Sequence, residues 1–249
     1  MAPTPAANGL YSPGVGELLL IRHGQASYGE ADYDRLSPRG VEQAHALGAY
    51  LAAARIDTLY AGPLRRQQQT AQHATEAAAT ASVRLPEVVT LAGLAEYPAF
   101  EMLKHLVPRL VAIDPRFADL ERAPTPRLLD DAFHAVLTKW ASDEWAVEGL
   151  ERAGAFAARV RDALDGVIRA ARSGARVACI TSAGPIGVAV ALVFGLDPAR
   201  AIRTSIVIRN ASITELRFRS RGFEWDPDHL SLVTFNTTGH LPAALHTER

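Results

Sequence analysis

The stretch Glu17-Leu-Leu-Leu-Ile-Arg-His-Gly-Gln25 decides the fold. Glu17 to Ile21 is a short apolar run of strand length, and Arg22-His23-Gly24-Gln25 then set a guanidinium, an imidazole and an unhindered backbone turn at its carboxyl end. Beyond a turn-rich stretch to Pro38, Val41, Ala44, Leu47, Gly48 and Leu51 recur on one face of a helix. Asp57 to Ala61 reads as a second strand. Gly62-Pro63 opens a second helix, with proline suited to its first position, and the run from Leu64 to about Ala79 has no breaker. Val88 to Leu91 predicts a third strand. Arg176 to Thr181 (RVACIT) predicts a fully buried one, followed by Gly184-Pro185 and an apolar helix that ends at Gly195. Ile206 to Ile208, Ser212 to Phe218 and Leu230 to Phe235 complete the expected β content.

Strands alternating with helices predict an α/β three-layer sandwich, α/β/α, around a mostly parallel central sheet. Between Glu96 and about Arg172 the strand signal lapses, and Leu128 to Trp140 and Glu148 to Ala171 read as helices. The second is a crossover back into the sheet. The first belongs to an inserted helical lid at about residues 97–148, with the prolines from Pro108 to Pro126 marking loops. Residues 1–16, rich in Ala, Pro, Gly and Ser, read as a loose arm without the basic start or apolar stretch of a secretory signal, which leaves 17–249 as one domain.

Composition excludes several functional classes. Apolar residues make up 48% and charged residues 21%, and the formal net charge is -1, so no global field draws the chain to nucleic acid or a membrane surface. The longest apolar run, Ile186 to Leu196, is too short to span a bilayer. Cys179 is the single cysteine; it lies in an apolar run, reads as a structural buried thiol and fits a reducing cytoplasm. Only Lys104 and Lys139 of the 26 basic residues are lysines, which turns attention to bidentate anion sites.

In open α/β sheets sites gather at the carboxyl ends of strands. The first strand ends in Arg22-His23, where a lone histidine is more often packed or solvated than functional. The second feeds Arg65 and Arg66 into the first turn of a helix. Cations there are misplaced against the helix dipole unless an anion binds, the bland alternative being a solvated basic turn. The buried strand ends in Thr181-Ser182-Ala183-Gly184-Pro185, another small-residue turn into a helix N-terminus.

These elements together resemble the histidine phosphatase superfamily, also called phosphoglycerate-mutase-like. LLLIRHGQASYGEADYDRLSPRGVEQAHALGAYL resembles its opening strand, its Arg-His-Gly signature and the following Leu-Ser/Thr-x-x-Gly-x-x-Gln-Ala helix. GPLRRQQQTAQ is similar to its Ser-Pro-Leu-x-Arg-x-x-Gln-Thr-Ala element, with Gly62 where serine is usual; this registers Arg66 as the matching arginine and Arg65 as its variable neighbour. Leu94-Ala95-Glu96 resembles the Leu-x-Glu that carries the family's acid, and NASITEL and HL near the end have counterparts. The resemblance spans Glu17 to Leu241. Where the family usually has a second His-Gly, this chain has Ser182-Ala183; Thr181 to Ile186 is similar to the Thr-Ser-Gly-Gly-Pro-Ile of a related bacterial subgroup.

The resemblance implies a phosphomonoester hydrolase in which His23 is the nucleophile, Arg22 and Arg66 clamp the phosphoryl oxygens, and Glu96 is the general acid and base. Gln25, Ser27, Ser182 and Ala183 are the further phosphate- or substrate-binding candidates, and Tyr28 a secondary one. Neither a metal nor an organic cofactor is required, and the eight histidines show no tight ligand spacing of the His-Glu-x-x-His kind. The expected partner is a small phosphorylated substrate, with oligomeric state open and a dimer one option. A charged donor is worth about 1.5–3 kcal/mol against about 0.5–1.5 kcal/mol for a neutral one, so Ser182 predicts a slow enzyme rather than a dead one. His240 is a candidate for supplying the missing imidazole.

Three alternatives remain. Phosphoglycerate mutase chemistry is disfavoured because neither Trp-Asn after the signature nor Arg-Arg-Ser-Tyr is present. A pseudophosphatase would bind a phosphorylated ligand without turnover. A nucleophile elbow at Ser182 lacks its first glycine, since Ile180 stands there. Phe100, Phe117, Phe133, Trp140 and Trp145 of the insertion either line a substrate cleft or pack the lid.

Overall fold

The computed structural model describes residues 14–27, 32–120, 122–226 and 228–248. In chain order these form β1 (Val15–Arg22), α1 (Pro38–Ala54), β2 (Thr58–Ala61), α2 (Arg65–Thr80), β3 (Val88–Thr90), α3 (Ala99–Ile113), α4 (Pro126–Ala141), α5 (Ala153–Ala170), β4 (Arg176–Thr181), α6 (Ala183–Phe194), α7 (Pro198–Ser205), β5 (Ile213–Arg219) and β6 (Leu230–Thr237). The six strands make one sheet in the order β3-β2-β4-β1-β5-β6. β1 pairs in parallel with β4, and β2 with both β3 and β4, while β5 runs antiparallel to β1 and β6. This is the expected three-layer α/β/α sandwich with a mostly parallel sheet.

The two central strands are apolar on both faces because both faces are covered. Leu19 and Ile21 of β1, with Ala178 and Ile180 of β4, pack under Leu47 and Leu51 of α1 and Ala71, Ala74 and Ala78 of α2. Leu18 and Leu20, with Val177 and Cys179, face the opposite way into a larger cluster that contains Val160 and Leu164 of α5 and Ile186 of α6. Strand alternation thus assigns each residue of LLLI to a layer. Cys179 is wholly buried, and burial drives its thiol far above the ordinary range, as expected of a structural cysteine.

Several boundaries differ from the sequence expectation. β1 starts at Val15, so Val15 and Gly16 belong to the sheet rather than to the arm, whose residues 1–13 lie outside those described. Pro63 is not the first helical residue, because α2 begins at Arg65 with Leu64 as N-cap. Ile206 to Ile208 is not a strand: Ile206 and Val207 form the turn after α7, and the Ile208 carbonyl goes to a side chain instead of a ladder. Pro108 lies inside α3, not in a loop. It sits on the exposed face, while Met102, Leu106 and Leu110 at four-residue spacing bury the other; that packing outweighs the hydrogen bond that proline removes.

The insertion shares its core with the sheet. Met102, Phe117, Val136, Trp140 and Trp145 join the same apolar cluster as Leu18 and Leu20. Of the five aromatics in question, Phe117, Trp140 and Trp145 are buried, Phe133 packs against them, and only Phe100 is mainly exposed, edge-on to Tyr33 at 4.6 Å. The other four pack residues 97–148 onto the core.

Candidate active site

β1 and β4 end side by side, Arg22 opposite Thr181; the chain leaves β1 through His23-Gly24 and β4 through the small residues Ser182-Ala183-Gly184. His23 N donates to Thr181 O at 2.9 Å, and Gly24 N to Thr70 Oγ1 at 3.0 Å, which ties the turn to α2. The turn also lies directly on the start of α1. A Cβ at Gly24 would come within 2.5 Å of Gly40 O, and one at Gly40 within 2.1 Å of Gln25 O. Both positions therefore need glycine for backbone contact.

His23 is buried, with its Nδ1 2.7 Å from Gly24 O and its Nε2 3.0 Å from Arg66 Nε. A guanidinium only donates, so Nε2 carries the lone pair and Nδ1 the proton; the tautomer is assigned from these partners. Burial, then the charges of Arg66 and Arg22, hold the imidazole well below its ordinary range, so the ring is neutral at physiological pH.

Arg66 is the buried member of the arginine pair. Its Nη1 meets Asp34 Oδ1 at 2.5 Å, and its guanidinium lies 5.5 Å from the Tyr33 ring centroid. Arg65 turns outward to Asp32. Asp34 Oδ2 also accepts from Arg65 N at 2.9 Å, so the anion that two cations at a helix N-terminus call for is here a carboxylate of the chain itself. Arg22 donates through Nη1 to Ile208 O and, at 3.0 Å, to Glu248 O, while its buried Nε has no partner among the described residues.

Glu96 closes the other side. Its Oε2 accepts from Gly184 N at 3.1 Å, in the first turn of α6, and its Oε1 from Tyr97 N at 3.2 Å. Burial pushes its carboxyl above the ordinary range, against these two hydrogen bonds and the charges of Arg66 and Arg22. Ser182 is wholly buried as the N-cap of α6, yet its hydroxyl does not cap the helix. It accepts instead from Gln67 Nε2 at 2.9 Å. The same amide nitrogen donates to Leu94 O at 3.0 Å, and Gln67 Oε1 accepts from Leu64 N at 3.0 Å. A Cβ at Gly62 would meet Gln67 Oε1 at 2.2 Å, so the glycine at 62 and the glutamine at 67 are one packing unit.

The remaining candidates divide. Gln25 N donates to Gln43 Oε1 at 2.7 Å, and Ser27 is buried with no partner for its hydroxyl among the described residues. Tyr28 lies outside the described residues. His240 packs against Tyr50 of α1 at 5.4 Å and hydrogen-bonds the Ala211 backbone. Its buried Nε2 has no hydrogen-bond partner among the described residues. Burial lowers it to about 4.

Reading the sequence missed the segment that walls one side of the site. Asn210 N donates to Thr247 O at 3.0 Å, Thr247 Oγ1 to Asn210 Oδ1 at 2.9 Å, and Gln43 Nε2 to Leu245 O at 2.6 Å. These bonds lay residues 245–248 beside Arg22. Ala211 N, at a positive φ of 53°, donates to His23 O at 3.1 Å. Gln25, Arg209, His246, Thr247 and Glu248, with Asp130 of α4, line a cavity of about 530 Å³. Residues 97–148 thus supply Asp130 to this lining. No short motif marks a contact made by carbonyls and chain ends.

A sequence profile of the histidine phosphatase superfamily (branch 1) matches residues 18–108 and 108–227. The chain belongs to the histidine phosphatase superfamily. Solved structures similar to it include members of that superfamily's phosphatase and mutase groups. The mycobacterial glucosyl-3-phosphoglycerate phosphatase with inorganic phosphate gives a TM-score of 0.63 at 21% identity, covering 91% of this chain and 100% of that one. The phosphoserine phosphatase of Entamoeba histolytica with 3-phosphoglyceric acid gives 0.60 at 20% identity, covering 91% and 100%. The phosphoglycerate mutase of Bacillus anthracis str. Sterne gives 0.62 at 17% identity, covering 92% and 96%. At these identities the likeness establishes the fold. No curated protein matches the sequence. Among the described residues no helix is long and apolar enough to cross a membrane.

Proposed function

We propose that this histidine phosphatase superfamily member is a phosphomonoester hydrolase that works through a phosphohistidine on His23, without a catalytic metal or organic cofactor. The contact that carries the reading is Arg66 Nε to His23 Nε2 at 3.0 Å: a buried neutral imidazole turns its lone pair toward a buried cation. In the substrate complex Arg66 and the unpartnered Nε of Arg22 clamp the phosphoryl oxygens, and Nε2 attacks phosphorus in line. The N–P bond forms as the ester P–O bond breaks, and Glu96 gives its proton to the departing alkoxide. Water then attacks the phosphohistidine, Glu96 takes its proton, and inorganic phosphate leaves with His23 neutral again. The raised Glu96 pKa suits the first of these transfers and the depressed His23 pKa suits the attack.

Ser27, with its buried free hydroxyl, Ser182 and the first residue of α6, Ala183, complete the phosphate-binding set. The rest of a small phosphorylated substrate rests in the cavity beside Gln25 and Arg209, to which the proposed lid of residues 97–148 contributes Asp130. Substrates with a carboxylate near the phosphate, as in the phosphoserine and 3-phosphoglyceric acid of the E. histolytica enzyme, suit Arg209.

The test is hydrolysis of p-nitrophenyl phosphate in the presence of a chelator, with acid-quenched protein analysed for phosphohistidine. Turnover with a phosphorylated peptide containing His23, both lost in His23→Ala, is the expected result. Phosphate binding without turnover would replace the hydrolase with a binding module. Interconversion of phosphoglycerates would replace it with a mutase.

A further inference from the structure

Outside the phosphate site, the packing of α1 on α2 gathers a second set of reactive side chains. We propose that His45, His73 and Glu76 bind a divalent first-row transition metal ion, zinc foremost, as a clamp between these two helices. One ligand atom from each of the three lies within 4.8 Å of the others. The linear sequence hides the set because it is split: His45 belongs to α1, and His73 and Glu76 to α2.

The helix crossing explains why they meet. A Cβ at Gly48 would come within 2.3 Å of Ala74 O and 2.8 Å of Ala77 Cβ, so the two helices touch through their backbones at this point. His45 stands one turn before Gly48, and His73 is next to Ala74. The two imidazoles therefore face each other beside this close approach, edge to face at 5.5 Å and 81°. His73 and Glu76, three residues apart, share one face of α2, and His73 Nδ1 lies 3.0 Å from Glu76 Oε2.

That separation is close to what a metal needs. Zinc bonds of about 2.0–2.1 Å in a tetrahedron set ligand atoms about 3.3 Å apart. The ion would take the place of the hydrogen bond between His73 and Glu76, and His45 closes on it by a side-chain rotation. Gln72 Nε2 holds the other carboxylate oxygen of Glu76 at 2.8 Å, the kind of outer contact that orients a metal ligand. This hydrogen bond, with His73 beside it, keeps the Glu76 carboxyl below its ordinary range and thus ionised.

Two imidazole nitrogens and one carboxylate oxygen suit zinc, cobalt, nickel or copper, whereas magnesium and calcium take oxygen ligands. His45 and Glu76 are exposed, so an ion reaches the site from solvent and water completes the coordination. The site is separate from the phosphate pocket: His73 lies about 10 Å along the axis of α2 from Arg66. An ion here ties the two helices whose N-terminal ends hold the His23 turn.

The test uses the full chain, stripped of metal by a chelator and then freed of the chelator. Cobalt titration read by visible absorption, and zinc titration read by calorimetry, should each saturate at one equivalent with micromolar affinity, and zinc should raise the melting temperature. Magnesium should do neither. His45→Gln and His73→Gln should each weaken zinc binding at least about tenfold with helical content unchanged. Failure of the wild type to bind, or a His45→Gln/His73→Gln double variant that binds zinc as tightly as the wild type, overturns the proposal. Because the readouts are binding and melting, they do not depend on phosphatase activity.

Discussion

The two halves of the candidate site are built on different principles. At the ends of β1 and β2, Arg22, His23 and Arg66 are brought together by local features: two strand ends, two glycines in backbone contact and a helix start. At the end of β4, Ser182 and Glu96 depend on partners far away in sequence, Gln67 on α2 and Gly184 on α6. The first half concentrates charge around a neutral imidazole. The second presents a part-buried acid and a hydroxyl already engaged by an amide. On the hydrolase reading proposed above, the charged half would set whether phosphoryl transfer occurs, and the β4 half how fast.

The largest expected effects fall in the first half. His23→Ala should lower turnover of phosphomonoesters by about 10⁴-fold or more, as expected of a lost nucleophile, and leave no phosphohistidine in quenched samples. Arg66→Ala should cost about 10³-fold, while Arg65→Ala, whose side chain pairs outward with Asp32, should cost less than about threefold. Steady-state kinetics of the three variants would break the comparison if Arg65 proved the costlier arginine.

Glu96→Gln probes the second half, with an expected loss of about 10²–10³-fold on alkyl phosphates. The loss should be smaller on p-nitrophenyl phosphate, whose leaving group departs without a proton. The sign of the pH dependence follows from the two shifts. His23, depressed by burial and two arginines, stays neutral, as the proposed attack requires, until the pH falls well below 6.5. Glu96, raised by burial, keeps its proton above the ordinary carboxylate value of 4.5 and loses it as pH rises further. Activity on alkyl phosphates should therefore decline on the alkaline side with a midpoint above 4.5, and Glu96→Gln should flatten that limb. An unchanged limb would take the acid role away from Glu96.

The same contrast governs what the sequence could reveal. LLLI, RVACIT and the turns after them were legible because strand alternation and strand-end chemistry are short-range properties. Arg66 over Arg65 followed from registration against the family motif, and the structure buries that arginine. Gln67 was invisible, since a glutamine in a run of three signals only helix until its partners at Leu94 and Ser182 are known. The Arg22 contacts with Ile208 and Glu248 were equally hidden, being made by carbonyls of no particular residue type. α3 was lost to Pro108, whose exposed position on an otherwise well-packed helix only tertiary structure discloses.

The smallest effects test whether Ser182 and Gln67 act as a unit. Ser182→Ala removes the acceptor of the Gln67 hydrogen bond but no charge, so turnover should fall by only about two- to fivefold, with a modest loss of stability of about 1 kcal/mol. Ser182→His on its own should not raise turnover, because the Gln67 amide fills the space between Leu94, Gly62 and Ser182 and an imidazole has no room beside it. Shortening that side chain in Gln67→Ala/Ser182→His opens the space and lets a cationic or neutral donor reach the phosphoryl group. A charged donor in place of a neutral one is worth about 1–2 kcal/mol, so the double variant should exceed Gln67→Ala alone by roughly tenfold. Melting temperatures of all four proteins separate this from loss of fold. Equal gains from Ser182→His with and without Gln67 would uncouple the two residues, and the β4 half of the site would then be as locally specified as the β1 half.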